Sequence, residues 1–278
     1  VRTSGGVAWY PDDALDGEEL IRYADFAMYQ SKRTMKGNLQ EFDQKVYLED
    51  AFILNGPELL NRLIEDQLVD FALQPVYDVA AGSVYGYEML MRPQTEEVRS
   101  PFDVLRMAQV HSKLYHIERL SWFKGLGTFA TLAEQGRITG GQRVFLNSIG
   151  SQILSEADFQ QFARQYEPYL KRLVLEITES EPGNKEYLKQ KIKVTRQWGG
   201  LLAIDDYGTG YNSEASLIFL SPDLVKVDMS IVRDIDKDEN RQNILESLLN
   251  YAGHRTIKVL AEGVETEEEY GIVKSMNL

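Results

Sequence analysis

The chain has 278 residues, which is enough for one barrel or for one ordinary domain with a smaller piece attached. Its 43% hydrophobic and 26% charged residues are typical of a globular protein and not of a disordered one. The formal net charge of −13 argues against broad electrostatic binding to a nucleic acid polymer or to an anionic membrane surface.

The absence of cysteine and of long apolar runs bears on the cellular compartment in which the chain is expected. There is no cysteine, which fits a reducing cytoplasm, and the apolar runs are far shorter than a membrane span. We therefore expect a cytoplasmic segment without direct membrane contact. Val1 is not an initiator methionine and the chain opens inside a predicted strand, so we expect a piece of a longer protein. This expectation is compatible with a longer protein that is tethered to a membrane upstream of this segment.

The first 45 residues have a character of their own. VRTSGGVAWYP predicts a strand closed by Gly and Pro, and GEELIRYADFAMYQSKR has apolar residues at helical spacing. Gly37 and Asn38 then predict the end of this helix. Since one strand and one helix cannot close a core, we predict that residues 1–45 are the end of a domain whose body lies upstream.

From residue 46 onward, helices alternate with short apolar strands. Helical patterns such as PELLNRLIEDQLV and RQNILESLLNYA separate most of the strands, which indicates an α/β fold with a parallel sheet. Over 46–278 this predicts a TIM-like (β/α)₈ barrel without its last strand. The first two strands are joined by a short AAGS turn, so one early strand is expected to be antiparallel. The predicted strands are FALQPVYDV, VYGYEMLM, RVFLNSI, RLVLEIT, LLAIDD, LVKVD and IKVLAE.

Polar side chains recur where these strands end. The carboxyl ends of parallel barrel strands form the active-site face, so their recurrence there indicates a site. A single such residue is equally consistent with a structural salt bridge, but a whole set of buried charges carries too large a desolvation cost for that explanation. The residues are Glu88, Asn147, Glu176, Asp205, Asp206, Lys226, Glu262 and Glu265.

The charge of this set predicts metal ions. One lysine cannot balance five carboxylates that face one cavity and repel one another, whereas two divalent cations can; the five are Glu88, Glu176, Asp205, Asp206 and Glu262. Hard oxygen ligands without Cys or clustered His favour Mg²⁺ or Mn²⁺. The adjacent Asp205 and Asp206 suit two ions a few ångströms apart, and phosphodiester hydrolysis is the reaction that such a centre serves best.

Lys226 and two loops complete the predicted site. Alternation in VKVD places Lys226 on the polar side of its strand, where it can orient water or neutralise phosphate charge; the alternative is a lysine that merely pairs with Asp228. Gly208 and Gly210 permit a tight loop after the aspartate pair. Glu179, in EITE, is placed to hold that loop by hydrogen bonds.

Six motifs now identify a resemblance. YGYEMLMR, FLNS, LEITES, IDDYGTGYNS, VKVD and AEGVET resemble, in this order, the motif set of the EAL-type cyclic-di-GMP phosphodiesterases, over roughly residues 71–269. The front segment, with SGGVAWYP and ADFAMYQSKRTMKGN, resembles the C-terminal end of a GGDEF (diguanylate-cyclase-like) domain. The resemblance implies a cytoplasmic two-metal hydrolase that opens cyclic-di-GMP to linear pGpG.

The resemblance also implies roles for individual residues. Lys226 assists the attacking water, Glu262 takes part in catalysis, and Glu179 anchors the loop after the aspartate pair. Gln74, Arg92 and Glu265 lie at the ligand, with Arg92 contacting a phosphate. A homodimer through the barrel is implied as well. The metal ligands are Glu88, Asn147, Glu176, Asp205, Asp206 and Glu262.

The sequence departs from the family pattern at a few positions. Met89 replaces the small alanine of the namesake triad, and we expect it to point away from Glu88 and to alter packing behind the strand. Pro93 replaces an aromatic residue. In the loop after Asp206, which contributes to dimer contacts in the family, Asn212 and Glu214 replace a serine and an apolar residue.

These changes leave two alternatives open beside an active phosphodiesterase. One is a catalytically weak or inactive cyclic-di-GMP receptor that signals through a dimer. The other is an unrelated metal-dependent barrel enzyme, since a fold does not fix a function.

Overall fold

The computed structural model describes residues 3–34, 38–47, 56–178, 184–209, 213–276 and 278. Contacts between residues divide the chain into two compact units, Val1–Asn61 and Arg62–Leu278. The boundary between residues 45 and 46 stays a prediction.

The first unit contains a parallel pair of three-residue strands, β1 (Gly5–Val7) and β2 (Leu39–Glu41), with helix α1 (Gly17–Thr34) between them. A Cβ on Gly6 would lie 1.9 Å from the carbonyl oxygen of Ala24, so only glycine lets this helix pack so closely on the strand. The predicted strand and helix are therefore present, while the predicted stop at Gly37 lies outside the described residues. Strand β2 was not predicted, because all three of its residues are exposed and no apolar alternation marks it.

The second unit is built on a seven-stranded sheet with helices between most of its strands. The strands are β3 (Val69–Asp78), β4 (Ser83–Pro93), β5 (Arg143–Asn147), β6 (Leu173–Thr178), β7 (Leu201–Tyr207), β8 (Leu224–Val227) and β9 (Lys258–Ala261).

From residue 57 onward the described ranges contain nine helices, the first of which spans the boundary between the two units, together with one 3₁₀ helix, Glu167–Arg172. None of the helices in those ranges has both the length and the apolar character needed to cross a membrane. They are α2 (Pro57–Glu65), α3 (Pro101–Val110), α4 (Leu114–Glu134), α5 (Glu156–Gln165), α6 (Lys185–Gln197), α7 (Ser213–Leu220), α8 (Met229–Val232), α9 (Glu239–Gly253) and α10 (Glu267–Ser275).

The strands follow one another across the sheet in sequence order. β3 and β4 form an antiparallel hairpin, and every later pair is parallel. The hairpin turn contains Gly82 at a left-handed φ of 63°, a conformation that glycine adopts without strain. The mixed sheet with one antiparallel early strand fits the TIM-like barrel that the sequence predicts, and all seven predicted strands are present.

One helix is shorter than its sequence pattern. The apolar spacing after Pro57 extends to Val69, yet α2 ends at Glu65. Gln67 then takes a left-handed φ of 51°, and Val69 begins β3 as a fully buried residue. Burial of alternate residues in the sheet outweighs the local helical spacing at this point.

An apolar layer inside the sheet supports the polar strand ends. Its members are buried side chains on β5 to β8, namely Phe145, Val174, Ala203 and Leu224. Gly86 on β4 makes room for this layer, because a Cβ there would lie 2.9 Å from the ring of Phe145. Residues two apart on a strand face the same side. The next inward positions along these five strands are Glu88, Asn147, Glu176, Asp205 and Lys226.

Candidate metal centre

Lys226 lies among four carboxylates of the predicted site. Its Nζ is 2.8 Å from Glu176 Oε1 and 2.8 Å from Asp205 Oδ1. It is also 2.9 Å from Glu262 Oε1 and 3.2 Å from Glu88 Oε2. Lys226 and these four residues lie on or directly after β4, β6, β7, β8 and β9, so side chains from five strands meet at one buried ammonium group.

The alternative role of Lys226, a simple pair with Asp228, does not hold. The four contacts of Lys226 are all with the strand-end carboxylates. Asp228 instead caps helix α8, where its side chain accepts a hydrogen bond from the backbone N–H of Ser230 at 2.8 Å. Lys226 is therefore part of the carboxylate cluster.

A β-bulge brings two adjacent aspartates to the same site. Ile204 pairs with Val225 and Tyr207 with Val227, so three residues of β7 advance against two of β8. Asp206 takes up the extra length at a left-handed φ of 54°, a conformation that aspartate tolerates better than most residues. Neighbouring strand residues would otherwise face opposite sides. The sequence indicates the acidic pair but not the bulge that makes its two side chains converge.

The carboxylate oxygens form two overlapping groups. Within each group, one oxygen from each residue lies within 4.8 Å of the others. Glu88, Glu176 and Asp205 form the first group; Asp205, Asp206 and Glu262 form the second. Asp205 is common to both.

The chemistry of these residues fits divalent cations. Both carboxylate oxygens of Glu176 and Oδ1 of Asp205 are buried without a hydrogen-bond partner among the described residues, although Lys226 lies at ion-pair distance. Buried oxygens without partners are costly, and one ammonium cannot neutralise four carboxylates. Metal ions prefer such hard oxygens, so the cluster is suited to hold them.

The electrostatics of the site follow from burial and crowding. Burial raises the pKa of Glu176 well above its usual value, against the attraction of Lys226. Burial likewise raises the pKa of Glu262 to about 7 and, with help from Asp205, raises the pKa of Asp206. Burial alone would lower the pKa of Lys226, but the surrounding carboxylates outweigh it and raise that pKa well above its usual value.

Two further predicted residues lie in register with the cluster. Gln74 on β3 is paired with Glu88 across the hairpin, and Asn147 on β5 is paired with Glu176. Both side chains are exposed. The sheet thus places Gln74 beside one member of the cluster and Asn147 beside another.

Arg92 and Glu265 have other partners. Arg92 is exposed on β4, and its guanidinium donates to the carbonyl oxygen of Met91 at 2.9 Å. Glu265 is exposed and forms an ion pair with Arg233. Neither residue forms an ion pair with the carboxylate cluster in the part of the chain that the structure describes. Glu179 lies outside the described residues, as do residues 210–212 of the glycine loop, including Asn212.

One structural residue near the site was missed by the sequence analysis. The carboxylate of Glu269 accepts hydrogen bonds from the backbone N–H groups of Asp234, Glu265 and Thr266 at 2.8, 2.8 and 3.1 Å. Glu269 thereby joins the loops that follow Lys226 and Glu262. A capping box, in which Thr266 and a glutamate three residues later cap a helix reciprocally, is the signal that would have found it.

Comparison with known proteins decides the family. The EAL domain family matches residues 58–278. The chain belongs to this family. Cyclic di-GMP phosphodiesterase NbdA of Pseudomonas aeruginosa is 27% identical over 277 residues, covering 98% of this chain and 35% of NbdA. Cyclic di-GMP phosphodiesterase PdeR of Escherichia coli is 29% identical over 284 residues, covering 96% of this chain and 40% of PdeR. This chain thus spans well under half of these two relatives.

One similar solved structure is that of Klebsiella pneumoniae BlrP1 in a complex with calcium and cyclic-di-GMP. It is 27% identical to this chain, with a TM-score of 0.65, and the match covers 84% of this chain and 62% of BlrP1. The likeness supports the barrel-like fold of the EAL domain described above.

The departure at the namesake triad of this EAL domain leaves the site face unchanged. Met89 is 1% exposed and, by alternation, faces the side of the sheet opposite to Glu88. In the sheet it is paired with Leu73 and Leu146. This buried position on the opposite face agrees with the expectation that Met89 points away from Glu88. Pro93 is buried at the end of β4, paired with Val69.

Proposed function

We propose that this chain hydrolyses cyclic-di-GMP to linear pGpG with two divalent cations, Mg²⁺ or Mn²⁺. The observation that carries the proposal is that side chains from five strands form two overlapping groups of carboxylate oxygens beside one lysine. The relatives support the substrate, since NbdA and PdeR are named cyclic di-GMP phosphodiesterases. The BlrP1 complex, which contains calcium and cyclic-di-GMP, supports the need for a divalent ion.

The residues of the two oxygen groups are the proposed metal ligands, with Asn147 added from its position beside Glu176. The full set is Glu88, Asn147, Glu176, Asp205, Asp206 and Glu262. Bound divalent cations supply Lewis acidity to a phosphoryl oxygen and lower the pKa of an attacking water. Asp205 belongs to both oxygen groups, so its carboxylate would help to hold a cation at either one.

Lys226 has a positioning and charge-balancing role in this proposal. Its ammonium group lies within 3.2 Å of four of the proposed ligands. It therefore keeps these carboxylates together and offsets part of their negative charge when no metal is bound. The same group is a hydrogen-bond donor on the polar face, where it orients the attacking water and offsets phosphate charge. Glu262, which contacts Lys226 at 2.9 Å, is proposed to take part in catalysis as well as in metal binding.

The remaining assigned residues act on the ligand side. Gln74 lies beside Glu88 in the sheet, and its exposed amide is proposed to contact the nucleotide. Arg92 follows Glu88 on the same strand by four residues, which is the same face of the sheet, and is proposed to bind a phosphate. Glu265 is assigned to the ligand and Glu179 to anchoring the loop after Asp206.

Two statements about the larger protein belong to the same proposal. The parallel β1–α1–β2 unit and the motif SGGVAWYP support an assignment of residues 1–45 to the end of a GGDEF-like domain. We also propose that the protein acts in the bacterial cytoplasm as a homodimer formed through the barrel. Light scattering during gel filtration tests the oligomeric state.

Hydrolysis of cyclic-di-GMP tests the proposed function. The chain is incubated with cyclic-di-GMP and Mg²⁺ or Mn²⁺, and pGpG is separated by chromatography, with Glu88→Ala as the control. Metal-dependent pGpG formation by the wild type and not by the control is expected. Turnover no greater than that of Glu88→Ala would refute the proposal, and tight binding of cyclic-di-GMP in chelator without hydrolysis would favour a receptor.

A further inference from the structure

A second charged cluster lies on the outer side of β5 and is fully buried. Glu118 on α4 and Lys191 on α6 both have no exposed surface, and Lys191 Nζ is 2.7 Å from Glu118 Oε1. Ser148, directly after β5, joins them: its Oγ donates to Glu118 Oε1 at 2.7 Å and accepts from Lys191 at 2.6 Å. We call these three residues the Glu118–Lys191 network. None of them belongs to the carboxylate cluster.

The network binds both backbone polar groups of Ile149. The N–H of Ile149 donates to Glu118 Oε2 at 2.8 Å, and the carbonyl oxygen of Ile149 accepts from Lys191 at 2.7 Å. Lys191 therefore uses its three N–H donors on Glu118, Ser148 and Ile149. Ser148 and Ile149 are the two residues that follow Asn147 in the chain.

The other side of the same segment is fixed to the metal centre. Asn147 is paired with Glu176 in the sheet, and the N–H of Ser148 donates to the carbonyl oxygen of Glu176 at 3.0 Å. The backbone after Asn147 is thus held by Glu176 on the strand side and by two helices on the other. Because the backbone is held on both sides, the position from which the Asn147 side chain extends is fixed at the end of β5.

Stability alone does not account for an ion pair at this place. Taking two charges out of water is costly, and a well-packed apolar pair of similar volume is often as stable or more stable. A fully hydrogen-bonded network does, however, define one local conformation. Groups that orient metal ligands are usually hydrogen-bonding partners outside the ligand set itself.

We propose that Glu118 and Lys191 are positioning residues that act through Ser148 and Ile149 to set the Asn147 amide for metal binding. This inference rests on the proposed function, because it takes Asn147 to be a metal ligand. It assigns no contact with substrate to either residue.

The test measures Mn²⁺ affinity by titration calorimetry on the 278-residue chain. Each variant is compared in two backgrounds, the wild-type chain and Asn147→Ala. The variant Glu118→Leu/Lys191→Met replaces the buried pair by apolar side chains, and Ser148→Ala removes only the shared hydroxyl. Each is made with Asn147 and with Asn147→Ala. Lys189→Met, a 63% exposed position on the same helix, is the matched control. Thermal unfolding by circular dichroism verifies that each variant is folded.

With Asn147 present, the apolar replacement is expected to weaken Mn²⁺ binding about 10-fold or more, as for removal of a group that orients a ligand. In the Asn147→Ala background the further loss should be less than about 2-fold, because the network then has no ligand to position. Ser148→Ala should weaken Mn²⁺ binding by a smaller factor, again only when Asn147 is present. If the apolar replacement does not fold, Ser148→Ala alone decides the test.

Different failures have different meanings. Wild-type chain that binds no Mn²⁺ refutes the proposed metal centre. Unchanged affinity in Asn147→Ala alone refutes the role of Asn147 and the inference with it. Equal losses in both backgrounds, or a fall in melting temperature with unchanged Mn²⁺ affinity, would refute the inference and leave the metal centre intact.

Discussion

Lys226 Nζ lies 2.8 Å from Glu176 Oε1, and neither side chain is more than 1% exposed. Glu176 is the most deeply buried carboxylate of the cluster, so Lys226 is the counter-charge on which its ionised form depends. In the chain without metal, this relationship makes Lys226 the main source of neutralisation for the strand-end carboxylates. That dependence is measurable as stability.

Removing the lysine charge should destabilise the metal-free chain far more than the metal-loaded one. Lys226→Met leaves the buried carboxylates without their cation, which typically costs about 3–5 kcal/mol in free energy of unfolding. Added Mn²⁺ should recover much of this loss by supplying the missing positive charge. Urea unfolding with EDTA and with Mn²⁺ measures both values. The 70% exposed Lys237→Met is the control, and a loss of the same size with and without Mn²⁺ would contradict the account.

The two aspartates of the bulge should each be required for turnover. Asp205→Asn or Asp206→Asn removes one negative ligand and is expected to lower kcat at least about 100-fold, through weaker stabilisation of developing charge. Asparagine also tolerates the left-handed φ of Asp206, so the bulge should be retained. Steady-state hydrolysis of cyclic-di-GMP gives kcat, with the exposed Glu186→Gln as the control. Wild-type kcat in either asparagine variant would remove that aspartate from the proposed ligands.

Gly86 should be intolerant of any side chain. A Cβ there would lie 2.7 Å from the carbonyl oxygen of Arg143 and 2.9 Å from the ring of Phe145, in the layer beneath Glu88. Gly86→Ala is therefore expected to reduce the free energy of unfolding by about 1–3 kcal/mol through overpacking. Gly253→Ala, whose Cβ would meet nothing within 4 Å, is the matched control. Equal stability of the two variants in urea unfolding would show that the interior beneath Glu88 is looser than described.

Met89 should matter for stability and not for chemistry. Restoring the alanine of the family triad with Met89→Ala removes a buried side chain on the face opposite to Glu88 and leaves a cavity, at a cost of about 2–5 kcal/mol. Mn²⁺ affinity at a temperature where the variant is folded should stay within about 2-fold of the wild-type value, because the Met89 side chain lies on the face of the sheet opposite to Glu88. A large change in Mn²⁺ affinity without loss of stability would mean that Met89 acts on the metal site.

The hydrogen bonds that the Glu269 carboxylate accepts from backbone N–H groups predict a pH dependence of stability. Hydrogen bonds from the backbone N–H groups of Glu265 and Asp234 lower the pKa of Glu269 below its ordinary value of 4.5. A depressed carboxyl pKa contributes stability above the unfolded-state value, and this contribution is lost as the pH falls through the folded-state value. Wild-type chain should therefore melt higher than Glu269→Gln at pH 7, and the difference should shrink below about pH 4.5.

Melting curves from pH 3 to pH 7 test this expectation. Glu268→Gln, an exposed neighbour in the same helical turn, is the control and should follow the wild type. A melting difference for Glu269→Gln that stays constant over the whole range would contradict the assigned cause.

The strand ends show how far the sequence was informative. Alternation in VKVD predicts that Lys226 lies on the polar face of its strand, the strand-end position of Glu176 predicts that it belongs to the site, and the order of the motifs predicts the family. The antiparallel hairpin follows from a turn too short for a crossover. These are local or pairwise consequences of pattern, so sequence reasoning can reach them.

What the sequence did not reveal depends on tertiary register. The bulge at Asp206 exists only because β7 and β8 pair with one residue of mismatch, and no local motif encodes that mismatch. Glu118 and Lys191 are 73 positions apart and meet only after the helices pack, so each had no distinguishing feature in the sequence. The extra strand β2 has no buried residue to mark it.

The most direct test counts bound Mn²⁺ and measures cyclic-di-GMP turnover in the same samples. Chain freed of metal by EDTA and dialysis is titrated with Mn²⁺, bound metal is determined by mass spectrometry under non-denaturing conditions, and pGpG is quantified at each point. The account predicts that turnover is absent without metal, rises with occupancy of two ions per chain, and is lost in Glu176→Gln. Failure to bind Mn²⁺ at the carboxylate cluster, or turnover that is the same in EDTA as in Mn²⁺, would contradict it.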